Sequence, residues 1–434
     1  MRLVILITDL DVGGAPRMAA ALARGLRERP GGRAAEAGEG AVEFETSVVS
    51  IAPLRPGGVW EQLRAEGIGV ESLNMRGLWQ LPWAWLRWRR LLGRVRPDLV
   101  HSILIHANIL SYIGRFPRGG GGAGGRPAYV QAIHTLQDRP RWHWWVQGWL
   151  TPRADGFIVT HPAILEKIPG ARRGADRGRQ VVIPNGIELE RFGQAEAASW
   201  PDSTSSHEVV FSTPILSNHT PATPGESPRK PPAEARVVGY VGRFDPVKRL
   251  DRLVKAFAIV RRNCSFGNKL HLILVGYGVG EAALRQQVQH LQLADWVHFP
   301  GVTATPERWY KLFDVMVLPS EVEGFGLPIV EAWAAGVPVV AVDSPAVRYL
   351  VEQCELGGES RGIITVAKAG SAEMLAEKIQ EVMENIDGCW GRDFRAQVSR
   401  KMSAKAFSEA TMIDRYMKFL KIFVDFKAPQ DRNS

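Results

Sequence analysis

Short apolar runs alternate with helix-like patterns along almost the whole chain. In the first half these runs cover residues 3–8, 47–51, 98–105, 129–133, 156–160 and 181–184. In the second half they cover residues 237–242, 270–275, 297–299, 315–318 and 338–342. Such alternation is typical of parallel strands joined by crossover helices. The pattern therefore predicts an α/β fold with two successive series of strands.

The two series are separated by a stretch of different composition. Residues 193–235 are polar and rich in Ser, Thr and Pro, which predicts a linker carrying a disordered insertion. We expect a first Rossmann-like domain over 1–192 and a second over 236–402. Residues 403–434 then form a C-terminal helix, because no strand follows the helical pattern there. That helix either closes the second domain or crosses back to the first.

Length and net charge limit the possible classes of protein, but they do not identify the binding partner. A chain of 434 residues is long enough for two hydrophobic cores. Its net charge of +9 favours phosphates, nucleic acid or a membrane surface. Three cysteines, far apart in sequence, do not indicate a disulfide framework or a zinc site. No secretory signal or spanning helix is expected, so we predict a cytoplasmic protein.

A glycine pair, Gly13 and Gly14, lies between the first strand and an alanine-rich helix. Glycine lets backbone amides approach a phosphate at a helix N-terminus. An ordinary βα turn without a ligand explains the pair equally well. No third glycine completes the dinucleotide fingerprint, which disfavours a dehydrogenase. The nearby Asp9 and Asp11 are interpreted as a coincidental Asp-x-Asp, not as a metal site.

Two cations follow the first strand of the second series. Arg243 and Lys248 are expected at the carboxyl edge of a sheet, where ligands bind in open α/β folds. Arg243 could fork onto a diphosphate, and Lys248 adds a compact second charge. A solvated pair of loop cations is the ordinary alternative.

Residues 323–331, with sequence EGFGLPIVE, carry the most specific pattern. Pro328 suits the first turn of a helix, so the backbone amides just before it would point outward. Glu331, one turn into the helix, could accept hydrogen bonds from a vicinal diol, and Glu323 from sugar hydroxyls. An acidic residue stabilising a helix dipole would explain one carboxylate but not the glycines as well. The amides concerned belong to Phe325, Gly326 and Leu327.

This segment resembles the E-x7-E motif of the family 4 retaining glycosyltransferases, which have the GT-B fold. Four further segments, in the same order as in that family, resemble its glycine loop, its IPNGI segment, its GR…K clamp and its VGxG turn. They are residues 13–14, 182–187, 242–248 and 275–278. The resemblance extends from residue 3 to about residue 351.

The resemblance implies two Rossmann-like doubly wound domains facing each other across a cleft. The N-terminal domain would bind the acceptor, and the C-terminal domain the nucleotide sugar. It implies a hexosyltransferase that moves a sugar from a UDP- or GDP-linked donor to a hydroxyl of a sugar or lipid-linked acceptor. Anomeric configuration would be retained, with no metal and no other cofactor. Glycan, polysaccharide or glycolipid synthesis is the expected setting.

Roles of individual residues follow from the same resemblance. Arg243 and Lys248 would neutralise the leaving diphosphate, Glu323 would bind the donor sugar, and Glu331 the ribose. His134 would contact the transferred sugar. The catalytic set is thus His134, Arg243, Lys248 and Glu323. The donor-binding set adds Gly13, Gly14, Gly276, Gly324, Phe325, Gly326, Leu327 and Glu331. His101 and His106 are interpreted as packing or acceptor-side residues.

Two positions depart from the family pattern. Pro16 and Arg17 stand where the family often has Glu-Arg. Residues 343–345, Asp-Ser-Pro, replace a frequent Gly-Gly turn and glutamate. Contacts to the acceptor and to the donor ring could therefore differ here.

A segment over residues 79–96 combines tryptophans with arginines. On a helix, Leu81, Trp85 and Trp88 share a face with Leu92 and Val95, and the basic face is formed by Arg87, Arg90 and Arg94. One interpretation is a peripheral contact with the inner face of the membrane, together with a second aromatic patch at 142–145. The other, which we favour, is a packed helix with a solvated basic face.

Three other functions compete with a transferase. A sugar epimerase or phosphorylase of the same fold is disfavoured by the combination of Arg243 and Lys248 with Glu323 and Glu331. An inactive homologue that binds nucleotide sugars stays open. A basic nucleic-acid binder would show steep salt dependence; we expect a nucleotide-sugar donor and no nucleic acid.

Overall fold

The chain divides into two compact units in a computed structural model. The structure describes residues 1–11, 13–28, 43–114, 126–136, 140–170, 179–200, 232, 234–353, 363–386 and 406–425. The first unit comprises Met1–Gly186 and Glu409–Ser434, and the second comprises Ile187–Ser408. Each unit is built around its own parallel sheet.

The first unit contains a seven-stranded sheet in the order β3-β2-β1-β4-β5-β6-β7, with every neighbouring pair parallel. Central strands such as β1 and β5 are almost wholly buried, as expected of a sheet covered by helices on both faces. The strands are β1 (Arg2–Ile7), β2 (Glu45–Ser50), β3 (Gly69–Ser72), β4 (Leu99–Ile103), β5 (Ala128–Ile133), β6 (Gly156–Val159) and β7 (Gln180–Val182).

Helices connect these strands and cover the sheet. Helix α3 buries Trp88 and Leu91 in a core cluster that also contains Leu110 of the helix after β4. The helices are α1 (Gly14–Glu28), α2 (Trp60–Ala65), α3 (Leu81–Val95), α4 (Ile105–Ile113), α5 (Trp142–Leu150) and α6 (Ala163–Lys167).

The second unit contains a six-stranded parallel sheet in the order β10-β9-β8-β11-β12-β13. Its strands are β8 (Arg236–Val241), β9 (Leu270–Val275), β10 (Val297–Gly301), β11 (Val315–Leu318), β12 (Val339–Val342) and β13 (Ile364–Ala367). Its helices are α7 (Leu189–Gln194), α8 (Leu250–Asn263), α9 (Glu281–His290), α10 (Pro306–Tyr310), α11 (Leu327–Ala334), α12 (Pro345–Gln353) and α13 (Ala372–Glu384). The predicted α/β class with two parallel sheets is confirmed.

The last helix, α14 (Glu409–Asp425), packs on α1 and β5 of the first unit. Glycines make the close approach possible. A Cβ atom on Gly25 would lie 2.0 Å from Ile413 Cδ1, and one on Gly156 would lie 2.6 Å from Phe423 Cζ. The close packing of α14 on the first unit therefore depends on glycine at positions 25 and 156.

Periodicity did not predict two strands, β3 and β13. Both have only four residues, and β13 has no buried residue except its last, so neither forms a long apolar run. The glycine-rich sequence over 119–125 and most of the predicted insertion, residues 201–231, lie outside the described residues. Among described residues, no helix has the length and apolar composition needed to cross a membrane.

Candidate functional site

The carboxyl edge of the second sheet gathers most of the predicted donor-binding residues. Strands β9, β8 and β11 are adjacent and parallel, so the loops that follow them leave from the same edge. The chain order of the strands reverses between β8 and β11, which is the topological switch point where open α/β sheets bind ligands. The loops after β8 and β11 hold residues 242–249 and 319–326.

Glycines allow the loops after β8 and β9 to approach each other. Gly276 has φ +136°, and a Cβ atom there would lie 1.9 Å from the carbonyl oxygen of Gly242. The Phe244 amide donates to the Tyr277 carbonyl at 2.7 Å. A Cβ on Gly278 would lie 2.7 Å from the Phe244 backbone. Gly276 is thus required by local packing, whatever contact it makes with a donor.

Lys248 and Glu323, predicted as separate donor contacts, form a direct ion pair. The Lys248 Nζ donates to both carboxylate oxygens, at 2.8 and 2.9 Å. The hydroxyl of Ser320 donates to the same carboxylate. The Lys248 side chain is 20% exposed and that of Glu323 is 6% exposed. The pair is therefore held in place before any ligand binds, with the lysine as its more accessible member.

Arg243 is a largely exposed cation at this edge. Its side chain is 60% exposed and pairs with Asp245 at 3.1 Å. A hydrogen bond fixes the backbone of this loop: the Tyr240 hydroxyl donates to the Arg243 carbonyl at 3.0 Å. Burial, with the nearby charges of Glu323 and Asp245, raises the pKa of Tyr240 well above its usual value. Tyr240 is consequently a neutral donor under the Arg243 loop.

Helix α11 starts at this edge as its sequence predicts. Gly326, with φ +88°, precedes the first helical residue, Leu327, and Pro328 stands in the first turn. The side chain of Phe325 is buried and contacts the ring of Phe407 at 5.9 Å between centroids. The left-handed conformation of Gly326 and the buried Phe325 orient the N-terminus of α11, where partial positive charge accumulates.

Glu331 lies inside the unit. Its side chain is buried, and the Tyr310 hydroxyl donates to its Oε2 at 2.8 Å. Tyr310 ends α10 and packs edge-on against Phe192 and Phe313. Sequence reasoning missed Tyr310, because it stands 21 residues from Glu331 and no motif marks it. The ribose contact of Glu331 stays a prediction.

His134 and His101 lie in the first unit and are buried. The Tyr416 hydroxyl of α14 lies 3.4 Å from His134 Nε2, and the Tyr416 ring meets the His101 ring edge-on. Burial, with the neighbouring His101, lowers the pKa of His134 to about 3, against a hydrogen bond to Asn185. Burial lowers the pKa of His101 to about 4, and its Nδ1 contacts the Val130 carbonyl at 3.1 Å. Both rings are therefore neutral at neutral pH.

The glycine loop of the first unit starts α1, which begins at Gly14. The Arg17 amide donates to the Gly13 carbonyl at 3.2 Å, so Gly13 acts as the helix cap. Asp11, in the Asp-x-Asp, forms an ion pair with Arg55 at 3.5 Å. Partial burial raises the pKa of Asp11, and the Arg55 charge opposes this. The phosphate contacts of Gly13 and Gly14 stay predictions.

The second departure from the family pattern is a helix cap. The Ser344 hydroxyl accepts a hydrogen bond from the Val347 amide at 3.3 Å, and α12 begins at Pro345. Asp343 pairs with Arg348 at 2.7 Å. The Asp-Ser-Pro sequence thus starts α12, which is a structural reason for its difference.

Two family models match the chain. The model of Glycosyltransferase Family 4 matches residues 12–191, and that of Glycosyl transferases group 1 matches residues 226–400. Among curated proteins, D-inositol 3-phosphate glycosyltransferase 2 of Catenulispora acidiphila is 33% identical over 39% of this chain and 35% of its own. The D-inositol 3-phosphate glycosyltransferase of Stackebrandtia nassauensis is 30% identical over 50% of this chain and 53% of its own. The matches thus span about a third to a half of these relatives.

Solved structures match over nearly the whole chain. HepE of Anabaena, in complex with UDP-glucose, has a TM-score of 0.69 at 20% identity and covers 97% of this chain and 100% of its own. Sucrose-phosphate synthase from Thermosynechococcus elongatus has a TM-score of 0.69 at 20% identity, covering 98% of this chain and 100% of its own. These similarities show a shared fold.

Proposed function

Because the chain belongs to glycosyltransferase family 4, with the GT-B fold, we propose that it transfers a sugar from a nucleotide diphosphate to a hydroxyl acceptor. The proposed donor is a UDP- or GDP-sugar, transferred with retention of configuration and without a metal ion. The proposed acceptor is a sugar or a lipid-linked sugar in glycan, polysaccharide or glycolipid synthesis. The proposed location is the cytoplasm, with a peripheral membrane contact.

One observation carries this proposal: two cations and a helix N-terminus lie together at the carboxyl edge of the second sheet. Arg243 is exposed there, Lys248 is held by Glu323, and the N-terminus of α11 lies in the adjacent loop. A leaving diphosphate develops negative charge, and fixed cations and helix amides stabilise that charge in the transition state. Groups already in place need little reorganisation during the reaction.

The proposed transfer reaction needs no cofactor, because every bond and proton is accounted for by the donor and the acceptor. The bond between the sugar C1 and the diphosphate oxygen breaks, and a bond forms between C1 and the acceptor oxygen on the same face of the ring. The departing phosphate oxygen takes the acceptor proton. Arg243 and Lys248 compensate the charge left on the diphosphate, and Glu323 contacts hydroxyls of the donor sugar while it holds Lys248.

Relatives support the donor class. HepE of Anabaena is solved with UDP and with UDP-glucose, and the curated relatives are named as glycosyltransferases. We therefore propose that this chain also uses a nucleotide-sugar donor. We propose further that His134 contacts the transferred sugar.

The proposal is tested by a thermal-shift panel of nucleotide sugars, followed by turnover assays with the donors that bind. Glu331→Ala should weaken nucleotide affinity about tenfold, because a charge-assisted hydrogen bond to the ribose is lost. Tyr310→Phe keeps the carboxylate but removes the hydrogen bond from the Tyr310 hydroxyl, so a smaller loss is expected. Calorimetry with UDP and GDP measures both variants.

Other outcomes identify the competing functions. Isomerisation of the donor without an acceptor would indicate an epimerase. Tight nucleotide binding with no turnover on any acceptor tried would favour an inactive homologue. Unchanged affinity in Glu331→Ala together with unchanged turnover in Lys248→Ala would remove the proposed site.

A further inference from the structure

Three helices of the first unit stand side by side on one face of its sheet. The Trp85 Nε1 of α3 donates to the Ile113 carbonyl at the end of α4, at 3.1 Å. At the same end of α4, Tyr112 packs edge-on against Trp149 of α5, with ring centroids 4.9 Å apart. The outward sides of α3 and α5 therefore belong to one continuous surface of this unit.

This surface carries an unusual share of the exposed apolar side chains. Every tryptophan that is exposed among the described residues lies on it. Trp79 is 73% exposed, Trp83 is 58% exposed and Trp145 is 75% exposed. Large exposed apolar patches mark interaction sites. We call the set the tryptophan surface, and its members are Leu78, Trp79, Trp83, Leu86, Trp142, Trp145 and Trp149.

Both helices already pack one face inside the unit, and the exposed tryptophan rings lie on their other sides. In α3 the predicted inner face is confirmed, because Trp88 is completely buried in the core cluster. In α5 the buried Gln147 accepts from Asn108 at 3.0 Å and donates to Gln131 at 3.1 Å and to Thr151 at 3.0 Å. Helix periodicity then leaves the tryptophans facing outward.

The two sequence segments that carry the tryptophan surface have an excess of arginine. Residues 71–98 contain six arginines against Glu71 and Asp98, and residues 138–155 contain three arginines against two aspartates. One of the six, Arg94, is ion-paired with Glu71. Arg90 follows Trp83 and Leu86 at helical spacing, so it lies on the same face of α3 as these two residues. Arg153 lies over the Trp149 ring, 4.2 Å from its centroid. Arginines thus accompany the exposed rings on both helices.

We propose that the tryptophan surface docks on an anionic phospholipid bilayer. Tryptophan rings prefer the boundary between lipid and water, because they combine a large apolar body with one polar N–H group. Arginines beside them would bind lipid phosphates, and anionic lipid attracts such segments. The excess of arginine over acidic residues in both sequence segments favours an anionic surface over a neutral one. This docking needs no donor or acceptor, so it is independent of the proposed transfer reaction.

Sedimentation of the full chain with lipid vesicles tests the apolar part. The chain should bind vesicles of phosphatidylcholine with phosphatidylglycerol more tightly than phosphatidylcholine alone. The pair Trp79→Ser and Trp83→Ser, and Trp145→Ser separately, should each lower the partition coefficient at least about tenfold, because apolar area no longer leaves water. Ile422→Ser, an exposed apolar position on α14, should leave binding unchanged.

A matched charge exchange tests the arginines. Arg76→Gln with Arg90→Gln should weaken binding to the anionic vesicles about fivefold per arginine. Lys255→Gln with Arg262→Gln makes the same change in net charge on exposed positions of α8 and should have little effect. Equal losses in both pairs would overturn the proposal in favour of a non-specific response to net charge.

Two further results would also overturn it. One is the absence of binding by the unmodified chain to anionic vesicles. The other is a dimer in sedimentation velocity that the tryptophan variants convert to monomer, without any vesicle binding. That result would assign the surface to a second copy of the chain.

Discussion

The carboxyl edges of the two sheets share a topology and differ in chemistry. Each sheet has a switch point beside its first strand, where loops with glycine and polar residues meet. In the second unit the edge presents the exposed Arg243 and the Lys248–Glu323 pair. In the first unit His134, directly after β5, and His101, within β4, are buried against α14 and neutral.

The difference shows that topology positions polar residues without deciding their charge. Charge is kept at the exposed Arg243 and in the Lys248–Glu323 pair, because water or a close partner solvates these ions. Burial removes water and favours the neutral form of an ionisable group. The second edge is therefore suited to an anionic ligand, and the buried histidines of the first unit to neutral contacts.

The largest expected effect tests the glycine packing of the second edge. Gly276→Ala should destabilise the second unit by about 4 kcal/mol, because the new Cβ would overlap the Gly242 carbonyl at a strained φ of +136°. Gly370→Ala is the control, since φ is +141° and no atom lies within 4 Å of its Cβ. Backbone strain alone predicts about 1–2 kcal/mol there. Urea unfolding measures both, and equal losses would mean that the close approach does not matter.

The next effect concerns the buried character of the Lys248–Glu323 pair. Lys248→Met should cost about 3 kcal/mol of stability, because it leaves the nearly buried Glu323 carboxylate without a cation. With an active donor and acceptor, kcat should fall about 100-fold. Adding Glu323→Gln should recover stability without recovering turnover.

Lys269→Met provides the matched control for that change. Lys269 pairs with Glu234, but both side chains are more than half exposed. Exposed ion pairs contribute little to stability, so no measurable change is expected. A loss in Lys269→Met as large as in Lys248→Met would show that burial does not distinguish the two pairs.

The smallest effect, per pH unit, tests the neutral form of the two buried histidines of the first unit. His134 and His101 have pKa values lowered from 6.5 to about 3 and about 4. Below pH 6.5 the unfolded chain binds protons that the folded unit does not, so stability falls as pH is lowered towards these values. Each histidine contributes about 1.4 kcal/mol per pH unit in that window.

His134→Gln should remove one proton from the pH dependence of the unfolding free energy. His290→Gln, at an exposed position of α9, should leave it unchanged. Chemical denaturation at several pH values between about 4 and 6.5 measures the slope. A slope unaffected by His134→Gln would mean that His134 takes up its proton in the folded state.

The sequence by itself determined what depends on neighbouring residues. Apolar runs predicted eleven of the strands, because a buried parallel strand needs an almost continuous apolar segment. Gly326 and Pro328 predicted the start of α11, since left-handed φ and a fixed proline φ act within one turn. Helical spacing in α3 likewise identified the face that packs Trp88.

Only the tertiary structure decided which distant residues meet. Lys248 and Glu323 are 75 residues apart, and their ion pair exists because β8 and β11 are neighbours in the sheet. Tyr310 reaches Glu331, and Tyr416 reaches His134 across 282 residues. The exposure of Trp79, Trp83 and Trp145 depends on which faces of the helices pack inside the first unit. Periodicity identifies which residues share one face of a helix. Whether that face is buried depends on the segment that packs against it, and that segment is distant in the sequence.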